Sequence, residues 1–326
     1  MLKSDCFMKR SLSLLCFIAA LTLCGTGSAK SNFRLVYWNI QNGMWDGQGD
    51  NYERFVSWVK TYDPDVCVWC EAQSLYVTGT DKSLEKDKVY LPDHWDELAA
   101  RYGHKYVYIG GHRDGFPQAI TSKYPIENVE RIIGNKADTV VMHGAGWARI
   151  KVKGKTLNIV SLHLAPHQWR PGLKTDEQRQ QSAELHEGDL FRRREIQYVC
   201  EHTIATHPKA AKEYWMMMGD FNSRSRADNG FYKYEDENTK LLVHDYIAGH
   251  TPYIDVIAHS YPGELHPTMH YACRLDYVYL TPALCDKVTG ASVCHDYYTE
   301  PVRNPEKISN FYHPSDHRPI IVDFKL

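Results

Sequence analysis

Several apolar runs in this chain close on a polar residue where a turn would ordinarily begin. Asn39 sits between Trp38 and Ile40, Glu71 ends Val68-Trp69-Cys70, and His163 lies inside Ser161-Leu162-His163-Leu164. Met216-Met217-Met218-Gly219-Asp220-Phe221-Asn222 finishes in a carboxylate and an amide two residues apart. Asp276 opens the run Tyr277 to Leu280, and Ser315-Asp316-His317 stands just before the last run. A lone Asp or Asn in such a place is an ordinary turn former, and a lone buried His is an ordinary core group. Together they fit another purpose, because a rigid sheet aims several side chains at one point from its strand ends. Carboxylates and amides dominate the set, and these are the hard oxygen ligands that Mg²⁺ takes, with one or two carboxylates sufficing. The two histidines lack His-Glu-x-x-His spacing, and there is no Cys–His zinc pattern. Hydrolysis of a phosphate ester needs a cation on the phosphoryl oxygens, a base to orient water and a donor near the developing charge. Each of those parts is in the inventory.

The elements that must position these residues read as follows. Phe33 to Ile40 alternates as a strand, with Leu35, Tyr37 and Asn39 on one face and Val36, Trp38 and Ile40 on the other. Asn51 to Thr61 is predicted as a helix, broken by Asp63-Pro64-Asp65 before a buried strand from Val66 to Cys70. Asp93 to Tyr102 is a second helix with an acidic start. Strands follow at Tyr106 to Ile109, Ala119 to Ser122, Trp147 to Val152 and Leu157 to Leu164. The stretch Asp176 to Thr206 is polar at first and gains helical spacing through Ile196, Val199, Cys200 and Ile204. Tyr214 to Met218, Tyr277 to Leu280, Ala291 to His295 and Ile320 to Phe324 complete the strands. Many strands without a helix between nearly every pair point to an α+β sandwich of mixed sheets rather than a doubly wound parallel sheet. No linker or repeat interrupts residues 33 to 326, so one domain is expected from residue 30 to the end.

From Tyr37-Trp38-Asn39-Ile40-Gln41-Asn42-Gly43 to Ser315-Asp316-His317-Arg318-Pro319, with Gly219-Asp220-Phe221-Asn222 between them, the chain resembles the endonuclease/exonuclease/phosphatase family of Mg²⁺-dependent hydrolases. The resemblance implies a four-layer α/β sandwich, two mixed sheets face to face with outer helices. It also implies roles. Glu71 is the main metal ligand, helped by Asn39 and Asp316, for Mg²⁺ with Mn²⁺ or Ca²⁺ as alternatives. Asp220 orients or deprotonates the attacking water, and Asn222 holds the phosphate. His317 donates to the phosphoryl oxygen, oriented and kept charged by Asp276. His163 contacts the phosphate or assists the leaving group. Two departures bear on the substrate pocket rather than the chemistry. Cys70 stands where the family often has Gln, and Gln118 replaces a small residue or Asn in Gln118 to Ile126.

The family's range leaves a nuclease, a sphingomyelinase-like lipid phosphodiesterase or a scavenging phosphomonoesterase as readings. The substrate is accordingly nucleic acid, a phospholipid head group or a small organophosphate, and no obligate protein partner is evident. His112, Arg113 and His167 flank motif segments and are candidate substrate contacts or plain surface polar residues. Trp45, Trp169 and Tyr253 fall in loops, either as stacking surfaces for bases or lipid head groups or as anchors on the sandwich. The Asp-x-His and Asn-His pairs of calcineurin-like phosphatases and the H-x-H-x-D-H of metallo-β-lactamases are absent. A non-catalytic binding protein on the same sandwich is the rival of another class, and it would be free to lose Glu71, Asp220 or His317, all of which are present.

The 326 residues are 43% hydrophobic and 24% charged, an ordinary globular balance with enough apolar content for a sizeable core. Met8-Lys9-Arg10, the apolar run Leu12 to Leu23 and Gly27-Ser28-Ala29 have the layout of a signal peptide cleaved near Ala29. Export to the periplasm or the medium is expected. A lipid anchor on Cys24 is disfavoured by Leu23, where a small residue is required. No later segment is apolar for long enough to span a bilayer. Cleavage removes Lys3, Asp5, Lys9 and Arg10 and so makes the formal charge of −2 more negative by two, which does not favour non-specific duplex binding. Cys67 and Cys70 read as opposite faces of one strand rather than a metal or redox pair. Cys285 and Cys294 bracket a hairpin that a disulfide would close, a pairing the sequence leaves open.

Overall fold

The computed structural model describes residues 33–44, 50–72, 94–111, 116–133, 141–303 and 312–326. The leader with Cys24 and Ala29, and also Trp45, His112 and Arg113, lie outside the described residues. The first described element is β1 (Phe33–Asn39), whose alternation divides it as the pattern requires: Leu35 and Tyr37 enter the central apolar cluster, Val36 and Trp38 an outer one. A crossover through α1 (Glu53–Tyr62) returns the chain to β2 (Val66–Cys70), which pairs parallel to β1. Phe55, Val56, Trp58 and Val59 form the buried stripe of α1. The helix stops at Asp63, left-handed at φ 47°, whose N–H bonds to the Val59 carbonyl at 2.9 Å, and Pro64 follows. Next come α2 (Trp95–Arg101), β3 (Tyr106–Gly110) and β4 (Gln118–Ser122).

The second sheet is built from β5 (Ile126–Ile132), β6 (Ala145–Val152), β7 (Lys155–His163), β8 (Tyr214–Asp220), β9 (Ile254–Asp255) and β10 (Asp276–Leu280). Between β7 and β8 the expected helical stretch is two helices, α3 (Asp176–Glu184) and α4 (Glu187–His202), and α5 (Leu242–His250) precedes β9. Thr175 and Gln178 make a reciprocal capping box at the start of α3, and His186 in the left-handed region (φ 54°) turns the chain into α4. The chain ends with β11 (Val288–Val293), the short ribbon β12 (Val302–Arg303) and β13 (Tyr312–His313), and β14 (Ile320–Phe324).

The sheet orders are β11-β14-β1-β2-β4-β3 and β5-β6-β7-β8-β10-β9. Each sheet has one parallel pair at its centre, β1/β2 and β7/β8, and antiparallel pairs on either side. Between the sheets lies a cluster that includes Phe33, Leu35, Val68, Ile120, Ile159, Met216, Val278 and Val322. A second cluster joins Trp38, Trp69 and Ile321 to α1 and α2, and a third joins Val160, Trp215 and Tyr277 to α4 and α5. The result is helices, sheet, sheet, helices: the expected four-layer sandwich. Cys67 belongs to an outer cluster and Cys70 to the central one, as strand alternation demands. Cys285 and Cys294 also lie in different clusters, so the hairpin disulfide does not form, and all six cysteines of the described residues are free and buried.

His104 ties α2 to the first sheet through its two ring nitrogens, which meet Thr121 Oγ1 and the Pro64 carbonyl, each at 2.9 Å. Burial pushes this imidazole down to about 4. The folded chain therefore binds fewer protons than the unfolded chain between the ordinary histidine value and pH 4. The neutral ring's contribution is complete above pH 6.5 and lost as pH falls through the folded value, a change on the order of 3 kcal/mol. Urea unfolding at pH 7.5 and 4.5 should show that loss in the parent and a shallower one in His104→Gln. Equal slopes would place the acid sensitivity elsewhere.

Candidate active site

Strand direction explains why distant residues meet. β1 and β2 run parallel, with Asn39 opposite Cys70, so Asn39 and Glu71 leave the first sheet at one edge. β7 and β8 run parallel, with His163 opposite Asp220, and antiparallel β10 begins with Asp276 opposite Asp220. β14 pairs antiparallel to β1, with Ile320 opposite Tyr37, which brings Asp316 and His317 back to the same edge. Both sheets thus deliver their polar ends to one place.

There Asn39 Nδ2 donates to Glu71 Oε1 at 3.2 Å and to Asp220 Oδ2 at 3.1 Å. His163 Nε2 and His317 Nε2 lie 3.7 and 3.8 Å from that same Asp220 oxygen. His317 Nε2 is also 3.8 Å from Asp316 Oδ1, and His317 Nδ1 is paired with Asp276 Oδ2 at 2.6 Å. The Asn222 N–H donates to Asp220 Oδ1 at 2.9 Å, and Asn222 Nδ2 donates to the Leu164 carbonyl at 3.0 Å. Asn39, Glu71, His163, Asp220, Asn222, Asp276, Asp316 and His317 are therefore one constellation.

The supporting residues carry no role in the sequence reading. The Tyr37 hydroxyl donates to Asp276 Oδ1 at 2.7 Å, and its position two residues before Asn39 on the same strand face was the available signal. Trp38 Nε1 donates to the His317 carbonyl at 2.9 Å, and Ser315 Oγ donates to the Asn39 carbonyl at 2.6 Å while accepting from the His317 N–H. Glu71 (φ 55°) and Asn222 (φ 47°) adopt left-handed backbone, costing about 1–2 kcal/mol each and turning their side chains back towards the edge. The Asn42 N–H fixes Glu71 Oε2 at 2.9 Å. In α4, Glu195 accepts from the Met142 and Ala165 N–H groups at 2.7 and 2.9 Å, and Arg192 donates to the Ala165 and His167 carbonyls. These two residues clamp the loop whose Leu164 carbonyl holds Asn222.

The electrostatics sort the histidines. Burial, reinforced by His143 and His317, holds His163 well below the ordinary imidazole range. Both of its ring nitrogens are buried without a hydrogen-bond partner. For His317 burial also disfavours charge, yet Asp276, Asp316 and Asp220 together raise it well above that range. Asp220 is raised by burial and by the Asp276 charge, and Glu71 by burial and by Asp316. Crowded buried carboxylates and an imidazole with no donor to satisfy it are what a bound cation and an anionic substrate would relieve. Ligand atoms of Glu71, His163 and Asp220 all fall within 4.8 Å of one another, as do those of Asp220, Asp276 and His317. The residues present thus fit a divalent cation.

His167 is exposed, and its ring stacks on Trp169 with centroids 4.5 Å apart, with no hydrogen bond or ion pair to the buried cluster. Tyr253 packs in an outer core as an anchor.

A family model described as the Endonuclease/Exonuclease/phosphatase family matches residues 36–317, and the chain belongs to that family. It is accordingly a hydrolase acting on phosphate esters. Solved structures share the fold. An AP endonuclease from Archaeoglobus fulgidus is 15% identical with a TM-score of 0.56, covering 90% of this chain and 100% of its own. The 3′ phosphatase NExo from Neisseria, bound to product DNA hairpin, has 14% identity, a TM-score of 0.57 and the same coverages. A mannosyl-6-phosphatase of Bacteroides thetaiotaomicron has 16% identity, a TM-score of 0.54 and again 90% and 100% coverage. No curated protein matches the chain.

Proposed function

We propose that the chain is exported after cleavage near Ala29, that residues 30–326 form a single catalytic domain, and that it hydrolyses a phosphodiester by in-line attack of water with Mg²⁺ as cofactor. The observation that carries this reading is the meeting of Asp220 with His163, His317 and the Asn39–Glu71 pair at one edge of two sheets. Asn39, Glu71 and Asp316 would hold the divalent cation, Mn²⁺ or Ca²⁺ being alternatives, and such a cation when bound supplies positive charge to the phosphoryl oxygens. Asp220, aligned by the Asn222 N–H and by Asn39, orients the attacking water and takes its proton. His317, held by Asp276, donates to the phosphoryl oxygen as charge develops. The unpartnered nitrogens of His163 are free to meet the phosphate or the leaving oxygen. Nucleic acid and sugar phosphates, named for the DNA-bound phosphatase and the mannosyl-6-phosphatase, are the first substrates to try, with phospholipid head groups third.

Residues 30–326 should hydrolyse bis-p-nitrophenyl phosphate, lose that activity in EDTA and regain it with Mg²⁺. Parallel wells of p-nitrophenyl phosphate, DNA and sphingomyelin choose among the esters. Activity indifferent to EDTA would overturn the metal dependence. Export is tested by expressing the full chain and sequencing the N-terminus of the released protein, expected at Lys30.

A further inference from the structure

A cavity of about 320 Å³ adjoins the catalytic edge, reached past Asn222 and Leu275. Its charges do not balance. Arg192 is committed to Asp189 and to two carbonyls. The nearby Arg226 pairs with Asp236 and Asp245, and the buried Arg274 with Asp228 and Asp255. Arg224 also lines the cavity, half-buried with its guanidinium 5.7 Å over the Tyr232 ring, and it has no carboxylate partner among the described residues. Lys240 faces the same space and likewise has none. The backbones that carry them adjoin, and the exposed Lys240 ammonium lies 5.1 Å over the Tyr234 ring. The Arg224 N–H and Ser223 Oγ both donate to the Lys240 carbonyl, at 3.1 and 2.7 Å. Withdrawing a guanidinium from water without a counter-charge is costly, and an anion in the cavity offsets that cost. Arg224 follows Asn222 by two residues, so an anion bound there sits roughly 7 Å along the chain from the phosphate-holding amide.

We infer that this cavity is a second anion subsite, so that the substrate carries, beside the scissile phosphate, a further phosphate or carboxylate held by Arg224 and Lys240. This inference rests on the phosphoesterase reading for the position of the scissile group, whereas recognition of the second anion is testable without turnover. Glucose 1,6-bisphosphate, 6-phosphogluconate and glucose 6-phosphate present a second phosphate, a carboxylate and no second anion. With Mg²⁺ present, the Asp220→Asn protein should bind the bisphosphate about 10- to 100-fold more tightly than glucose 6-phosphate by calorimetry. The gluconate arm says which anion is preferred.

Adding Arg224→Ala should collapse that preference towards unity, and Arg224→Lys, which keeps the charge without the planar fork, should retain part of it. Lys155→Ala, at the opposite end of β7, should leave the preference unchanged. With Asp220 intact, the ratio of kcat/KM for a phosphodiester that carries a second phosphate over the same diester without it should fall by about tenfold in Arg224→Ala, chiefly through KM. Equal binding of the bisphosphate, the gluconate and the monophosphate, or a preference that survives Arg224→Ala, would overturn the subsite. Binding preference without hydrolysis of any ester would overturn the phosphoesterase reading and leave the subsite standing.

Discussion

Asp220→Asn should lower kcat by about 10²- to 10⁴-fold, the range for loss of a positioned proton acceptor. The substitution keeps the shape of the side chain and a carbonyl oxygen for Asn39, so the far-ultraviolet circular dichroism should not change. Stability should not fall either. Asp220 is buried opposite Asp276, and burial with that neighbour's charge already raises its pKa, so the carboxylate is the more strained of the two groups in the cation-free protein. Removing one buried negative charge relieves repulsion, which offsets the one donor that the amide turns towards the Asn222 N–H. The result to look for is a protein at least as resistant to urea as the parent and nearly inert on bis-p-nitrophenyl phosphate. A parallel loss of fold and activity would assign Asp220 to the scaffold instead.

Glu71→Ala and His317→Ala should fail in different ways. Glu71 is held by Asn39 and the Asn42 N–H and crowded by Asp316, the placement of a cation ligand. Its loss should shift the Mg²⁺ dependence of kcat to higher concentration, and excess Mg²⁺ should restore part of the rate. His317 is held by Asp276 and kept charged by three carboxylates. Its loss should lower kcat by about 10²- to 10³-fold at every Mg²⁺ concentration, as removal of a charge-stabilising donor does. Metal titrations of both variants decide the matter, and equal rescue would count against the division of roles.

The constellation was legible because its parts are local in sequence. A polar residue closing an apolar run at Asn39, Glu71 or Asp220 needs only a few neighbours to be noticed, and the strand alternation from Phe33 and from Val66 is equally local. Elements without such contrast were not seen. β5 reads Ile-Glu-Asn-Val-Glu-Arg-Ile, mostly exposed at a sheet edge and carrying an irregularity between Asn128 and Glu130, so neither alternation nor an apolar run marks it. α5 has no side-chain cap of its own and runs on from a short 3₁₀ turn capped by Asn238, so the start signal stands four residues ahead of the helix. The clamp by Glu195 and Arg192 is invisible for a different reason. Its partners at Met142, Ala165 and His167 lie 25 to 53 residues away, and nothing in the helix itself says which loop it faces. His167 shows the converse, since closeness to a motif in sequence did not bring its ring into the site.

The placing of each parallel pair at the centre of its own sheet has a consequence in time as well as in space. Asn39 and His317 stand 278 positions apart and touch the same carboxylate, so the constellation closes only after the first and last strands have paired and the two sheets have docked. Contacts of such long sequence separation form late and slowly. A chain stalled part-way through folding, or cut within either sheet, therefore holds no lesser version of the catalyst. Competence arrives in one step, at the end.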